Sequence, residues 1–280
     1  MAARRRLDAE LVRRGLAESR EQAQRDITDG RVLVSGSLAT KAAHQVSAAE
    51  PIELVGPAPR FVGRGGLKLE AAIERFDLDV EFAGARVLDA GASTGGFTDC
   101  ALQHGAASVV AVDVGHNQLH ERLRADVRVE VHERTNLRLA DPASFAPVVD
   151  IVVADLSFIS LGLVLERLAA AARPGAMFAL LVKPQFEAGR AEVSRSRGVI
   201  TDPEVWRRVL DEVSGALGGL GAAIMGAMVS PITGSDGNVE FVLVGRFGSV
   251  EPIGSHVALG PSALVDALDA VVVEAEERRR

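Results

Sequence analysis

The feature that most constrains this chain is one short word, Val87-Leu-Asp-Ala-Gly-Ala-Ser-Thr-Gly-Gly-Phe97, between an apparent strand (Arg86–Asp89) and an apparent helix (Phe97–His104). Gly91, Gly95 and Gly96 let the backbone turn tightly and approach a ligand closely. Turns of this kind at the carboxyl end of a strand are where open α/β sheets bind ligands. From residue 67 the chain keeps alternating. Periodicity predicts helices over Leu67–Phe76, Leu161–Ala172 and Asp202–Leu217, and strands over Val109–Val112, Asp150–Asp155 and Met177–Val182. Two late strands, Ala223–Val229 and Val239–Val244, follow one another directly. Repeated β-α-β order predicts an α/β fold, a mostly parallel sheet with helices on both faces and an antiparallel edge.

The first part of the chain reads differently. Leu7, Leu11 and Val12 lie at helical spacing, and Gly15 ends that helix. Ser19-Arg-Glu-Gln22 is a capping box opening a second helix that Asp29-Gly30 closes. Arg31–Val34 and Pro51–Val55 read as short strands, with Ser35-Gly36 as a turn. The expected organisation is a small α+β unit over 1–56, a linker over 57–66 punctuated by Pro57 and Pro59, an α/β domain over 67–247, and a C-terminal extension with a helix over 248–280.

Charge supports a division of labour. The net charge is −7, yet residues 1–64 carry 11 Lys/Arg against 8 Asp/Glu. Positive charge gathered in the first quarter fits an RNA-facing module on an acidic body, and charge alone fits a solvated surface equally well. The single cysteine, Cys100, excludes an internal disulfide and a cysteine-based zinc cluster, and no metal site is expected. A reducing, cytoplasmic location fits. No apolar run approaches the roughly 20 residues that span a bilayer, so stable membrane insertion is not expected.

The glycine turn separates several ligand classes. Ser93 stands where a dinucleotide fingerprint needs its second glycine, and Phe97-Thr98 stands where a P-loop needs Lys-Ser/Thr. Gly91-Ala-Ser93-Thr-Gly95 matches the hydrolase nucleophile elbow, but only His256 follows Asp155 and no motif surrounds it. Asp113, at the end of the next strand, is a carboxylate placed to accept ribose hydroxyls. The turn resembles motif I of the Rossmann-like methyltransferases, in the D-x-G-x-x-x-G-G-F/W form of the FtsJ-like ribose methyltransferases. That resemblance implies that Asp89, Gly91, Ser93, Thr94, Gly95 and Gly96 line the methionine end of S-adenosylmethionine and that Asp113 binds its ribose.

Transfer of a methyl group to a ribose hydroxyl needs a proton acceptor for a poor nucleophile and a group that orients it. Lys68, Asp155, Lys183 and Glu240 offer this, three of them at strand ends. Together they match the Lys-Asp-Lys-Glu order of the FtsJ-like 2′-O-methyltransferases. The words Ala154-Asp-Leu-Ser-Phe-Ile-Ser160, Val182-Lys-Pro-Gln-Phe-Glu187, Glu133-Arg-Thr-Asn136-Leu-Arg138 and Ser230–Glu240 resemble the TlyA family. The N-terminal unit resembles the S4 RNA-binding domain, and TlyA proteins have this same order.

Two positions depart from the pattern: Ala42 replaces the usual proline after Lys41, and Phe61-Val62 replaces a linker tryptophan. The resemblance implies S-adenosylmethionine as cofactor, with Asn136 in its site, Lys183 as proton acceptor held by Asp155, and Lys68 and Glu240 completing the network. The implied substrate is a cytidine 2′-hydroxyl of ribosomal RNA in the large subunit and, for longer chains, the small subunit. Arg4, Arg6, Arg20 and Lys41 are the expected phosphate contacts, with Arg13, Arg14 and Arg31 next, and Phe158 a candidate stacking partner for the target base. Two other functions fit parts of the chain: a membrane-active haemolysin, the family's other name, and a ribosome-assembly factor without catalysis.

Overall fold

The structure, a computed structural model, describes residues 4–279 apart from residues 18, 197 and 235; Arg280 of the charged tail lies outside them. The chain divides into two compact units, Met1–Arg60 and Phe61–Arg280.

In the first unit β1 (Arg5–Arg6) leads into α1 (Leu7–Arg13), and α2 (Arg20–Thr28) follows. The Ser19 hydroxyl accepts the Gln22 amide at 3.2 Å, as the capping box predicts. Four more short strands follow: β2 (Val32–Val34), β3 (Ser37–Leu38), β4 (Gln45–Val46) and β5 (Ile52–Leu54). β1 pairs with β4, while β3-β2-β5 form a separate antiparallel sheet. Leu7, Leu11, Ala23, Ile27, Val32 and Val46 are buried together as its core.

The second unit opens with α3 (Gly65–Arg75) and α4 (Asp79–Phe82), then β6 (Arg86–Ala90), α5 (Gly96–Gln103) and β7 (Ser108–Val112). α6 (Glu121–Arg124) and β8 (Val129–His132) follow, then β9 (Val149–Ala154), α7 (Leu165–Ala171) and β10 (Ala172–Val182). Last come α8 (Pro184–Glu187), α9 (Arg190–Arg195), α10 (Pro203–Gly219), β11 (Ala222–Val229), β12 (Phe241–Phe247) and α11 (Pro261–Arg279). The sheet order is β11-β12-β10-β9-β6-β7-β8, with β10-β9-β6-β7-β8 parallel and β12 antiparallel to both of its neighbours. Alternate residues of the strands enter opposite cores: Leu88, Val110, Val152 and Leu180 on one face, Val87, Val109, Val153 and Leu181 on the other. A strand buried on both faces reads as an unbroken apolar run, as β9 and β10 do.

Several bounds differ from expectation for local reasons. The helix expected over Leu161–Ala172 is a 3₁₀ turn (Leu161–Leu163) followed by α7, and Ala172 already belongs to β10. β10 starts before Met177 because a bulge between Ala172 and Met177 carries the chain past Pro174-Gly175. β12 begins at Phe241, so Glu240 lies just outside it. β8 was not expected at all. The C-terminal helix packs Leu268, Val271, Val272 and Ala275 into the core of the α/β unit.

Candidate active site

The sheet itself gathers three of the four candidate residues, Asp155, Lys183 and Glu240. Ala90 pairs with Ala154 in parallel register, so Gly91 and Asp155 leave β6 and β9 side by side, and the Asp155 amide donates to Ala90 O at 3.0 Å. Val182 pairs with Phe241 across the antiparallel β10–β12 ladder, which brings Lys183, after one strand, beside Glu240, before the other. Only an antiparallel β12 puts its amino end at the carboxyl edge of the parallel strands. Lys68 arrives from the first turn of α3. The start of that helix approaches the glycine turn closely: a Cβ on Gly96 would lie 2.7 Å from the Gly66 amide nitrogen.

The result is an alternating charge quartet. Lys183 Nζ lies 2.5 Å from Asp155 Oδ1, Lys68 Nζ 3.3 Å from Asp155 Oδ2, and Lys68 Nζ 2.6 Å from Glu240 Oε2. Lys68, Lys183 and Glu240 are buried. Two ammonium groups and two carboxylates cancel, which is how a low-dielectric site tolerates four ionisable groups. Lys183 Nζ also donates to Ser157 Oγ at 3.2 Å, a partner that sequence reading missed although Ser157 lies two residues beyond Asp155.

Two cavities meet at the glycine turn. One, about 450 Å³, is lined by Lys68, Asp155, Lys183 and Glu240 together with Ser93 and Thr94. The other, about 460 Å³, is lined by Asp113, Gln118 and Asn136 with apolar Val112, Leu137 and Leu156. Gly91, Ser93, Asp155, Ser157 and Phe158 border both. Asp113 is anchored by the turn: its Oδ2 accepts the Ser93 amide at 2.8 Å and its Oδ1 the Gly115 amide at 2.6 Å. Asn136 Oδ1 accepts the Arg138 amide at 3.0 Å, which leaves its NH₂ group as a donor.

Gly95 and Asp89 shape the turn without bordering either cavity. Gly95 has φ 97° and backs onto Leu119 and Leu123. Asp89 is wholly buried, its Oδ2 accepting from Thr98 Oγ1 at 2.6 Å while Oδ1 has no hydrogen-bond partner among the described residues. Burial pushes its carboxyl up to about 7 against the opposing Thr98 bond. At the rim, Phe158 is 91% exposed with φ 64°, a backbone conformation that strains an aromatic residue. Its ring lies 5.2 Å from that of Phe186. Such strain gathers at functional sites.

Residues 61–247 match the FtsJ-like methyltransferase family, and residues 5–52 match the S4 domain. The chain belongs to the FtsJ-like methyltransferases. Among relatives of this FtsJ-like chain, the Mycobacterium tuberculosis "16S/23S rRNA (cytidine-2′-O)-methyltransferase TlyA" is 49% identical over 244 residues, covering 87% of this chain and 90% of the relative. Hemolysin A of Brachyspira hyodysenteriae is 38% identical over 238 residues, covering 85% of this chain and 98% of its own. A solved structure from Streptococcus thermophilus, provisionally named a hemolysin, superposes with a TM-score of 0.73 at 36% identity, over 100% of this chain and 99% of the other. Among the described residues, no helix is long and apolar enough to cross a membrane.

In the S4 unit the arginines expected to face RNA are also tied to acids. Buried Asp8 accepts from Arg6 at 2.9 Å, Arg20 at 3.0 Å and Gln24 at 2.9 Å, and Arg6 first among them holds its carboxyl well below the ordinary range. Arg13 and Arg14 share buried Glu10, whose carboxyl they lower to about 2, and Arg31 pairs with Asp26. Arg4 lies 3.1 Å from Glu50. Arg6 and Arg20 remain about half exposed while held by Asp8, and Lys41 is exposed.

Proposed function

We propose that this FtsJ-like chain methylates the 2′-hydroxyl of cytidine in ribosomal RNA, and that it does so in the cytoplasm on ribosomal subunits. The observation that carries the reading is the charge quartet of Lys68, Asp155, Lys183 and Glu240, three of them buried, set against the glycine turn. The site suits an elongated cofactor with a charged end and a nucleoside end, because one turn walls both cavities and one wall holds the Asp113 carboxylate. S-adenosylmethionine, the cofactor of the FtsJ-like methyltransferases, supplies an electrophilic methyl group when bound.

Each residue then has a task. Gly91, Ser93, Thr94 and Gly96 form the wall for the charged end, with Gly95 and Asp89 fixing the turn from behind. Asp113 would hold the cofactor's ribose, with the Asn136 NH₂ group as a donor lining the same cavity. Lys183, after releasing its resting proton to solvent, accepts the proton of the target hydroxyl, and Asp155 holds its Nζ and stabilises the ammonium formed again. Lys68, pinned between Asp155 and Glu240, orients the attacking oxygen. Phe158 stacks on the base that leaves its helix to expose the ribose. Residues 1–56 form the RNA-binding module, in which Arg4, Arg6, Arg20 and Lys41 contact phosphates, and residues 57–66 join it to the catalytic domain over 67–247.

Incubating large- and small-subunit particles and free RNA with the protein and labelled S-adenosylmethionine tests this. A 2′-O-methylcytidine in large-subunit RNA is expected, with a second in the small subunit. A protein that binds the cofactor but leaves every ribose unmodified refutes it.

A further inference from the structure

We propose that the C-terminal helix α11 is a positioning element for the reaction cavity, acting through Arg278 and Arg279. This helix lies beyond the FtsJ-like match, which ends at residue 247. Its last turn reaches two loops that border the quartet. Arg278 Nη1 donates to Ser230 O at 3.1 Å, and Arg279 Nη1 donates to Thr201 O at 3.2 Å. The Arg279 guanidinium also lies 5.8 Å from the ring centre of Trp206, whose Nε1 donates to Ile200 O at 3.1 Å.

Those two loops are cross-tied by one side chain. Asn238 is 1% exposed; its Oδ1 accepts the Ile200 amide at 2.9 Å and its Nδ2 donates to Gly198 O at 2.9 Å. Its own carbonyl accepts the Gly234 amide at 2.9 Å, and the Ser230 amide donates to Glu240 O at 2.8 Å. Gly198, Gly234 and Glu240 all border the cavity that holds the quartet. Contact therefore runs from the two arginines, through Ile200 and Asn238 on one side and Ser230 on the other, to Glu240 and the ammonium of Lys68. Buried hydrogen-bonded networks of this kind fix one geometry because each member left unpaired is costly. The arginines touch no reacting group; they set where Glu240 stands. The inference rests on the reading of Glu240 as a member of the reacting quartet.

The test uses the full-length protein with both arginines changed to alanine, and a second variant with both changed to lysine. Hydrogen exchange is followed at the Ile200 and Ser230 amides, with the amides of β9 and β10 as internal reference. The alanine variant is expected to exchange at least tenfold faster at Ile200 and Ser230 and unchanged in the two central strands. Its kcat for ribose methylation falls at least tenfold while its affinity for S-adenosylmethionine stays within twofold, and the lysine variant recovers part of both losses. Asp269→Ala, which breaks the helix's ion pair with Arg207 away from the loops, leaves exchange and kcat unchanged. Wild-type protection at Ile200 and Ser230 in the alanine variant overturns the proposal, and so does faster exchange there with kcat unaltered. If the unaltered protein methylates no ribosomal RNA, the reaction assignment fails, while the exchange result still decides whether α11 braces these loops.

Discussion

Removing one member of the quartet should cost more than removing a matched pair. Lys68 and Glu240 are both buried and 2.6 Å apart. Lys68→Met leaves two carboxylates facing one ammonium; Glu240→Leu leaves two ammonium groups facing one carboxylate. Stranding a charge by breaking a buried pair costs about 3–5 kcal/mol, whereas replacing the whole pair by apolar groups is often near neutral. Asp155 still reaches Lys68 at 3.3 Å when Glu240 is lost, so that variant belongs at the lower end, about 3 kcal/mol. At roughly 2–4 °C per kcal/mol for a unit of this size, its Tm should fall by roughly 6–12 °C. The double variant retains the neutral Lys183–Asp155 pair and should lose less than either single variant. Thermal and urea unfolding of the four proteins, read as a double-mutant cycle, measures the coupling. All three variants should nevertheless lose at least ~100-fold in turnover, because the attacking oxygen is no longer oriented. Stability losses that simply add would refute the coupled quartet.

Gly91→Ala places a Cβ 2.6 Å from the Asp155 carbonyl oxygen at φ 90°, so stability should drop by about 1–3 kcal/mol and cofactor affinity at least tenfold by calorimetry; an unchanged affinity would contradict the role given to the turn. The Asp89 carboxyl sits at about 7 in the fold, above its value in the unfolded chain, so it contributes stability at low pH that is lost as pH rises from about 4 through 7. Asp89→Asn should flatten the fall in Tm over that window, and identical pH profiles for both proteins would sink the assignment. Phe158→Ala should weaken RNA binding by about 1–3 kcal/mol, the worth of one base–aromatic stack, without changing cofactor affinity; unaltered RNA binding in a filter or anisotropy assay would remove the stacking role.

How much of this was legible in the sequence depended on whether a feature was local. The glycine turn and the parallel strands were readable because apolar runs and strand ends are written in consecutive residues, whereas the grouping of Lys68, Asp155, Lys183 and Glu240 came from the order of four residues far apart in the chain. The insertion of β12 between β10 and β11 was not readable, since chain order does not state sheet order. β8 escaped notice although Val129-Glu-Val-His132 alternates apolar and polar as a half-buried strand does, because four residues is the shortest run over which that alternation can be read. Asn238 and Ser157 looked like ordinary loop residues, and only the folded chain shows that one ties two loops and the other touches Lys183. The arginines of the S4 unit are expected from the sequence as phosphate contacts; their pairing with buried Asp8 and Glu10 depends on side-chain packing that composition does not report. Asp89 was expected beside the ligand and lies beneath the turn, because Thr98 on α5 draws its carboxylate inward.

The most direct test of proton transfer to Lys183 is single-turnover methylation of ribosomal RNA by Lys183→Ala, with cofactor affinity measured on the same preparation. The cofactor should bind within a few-fold of the unaltered protein, while the rate of ribose methylation falls by about 10²–10⁴-fold. Methylation at the unaltered rate would mean that another group takes the proton.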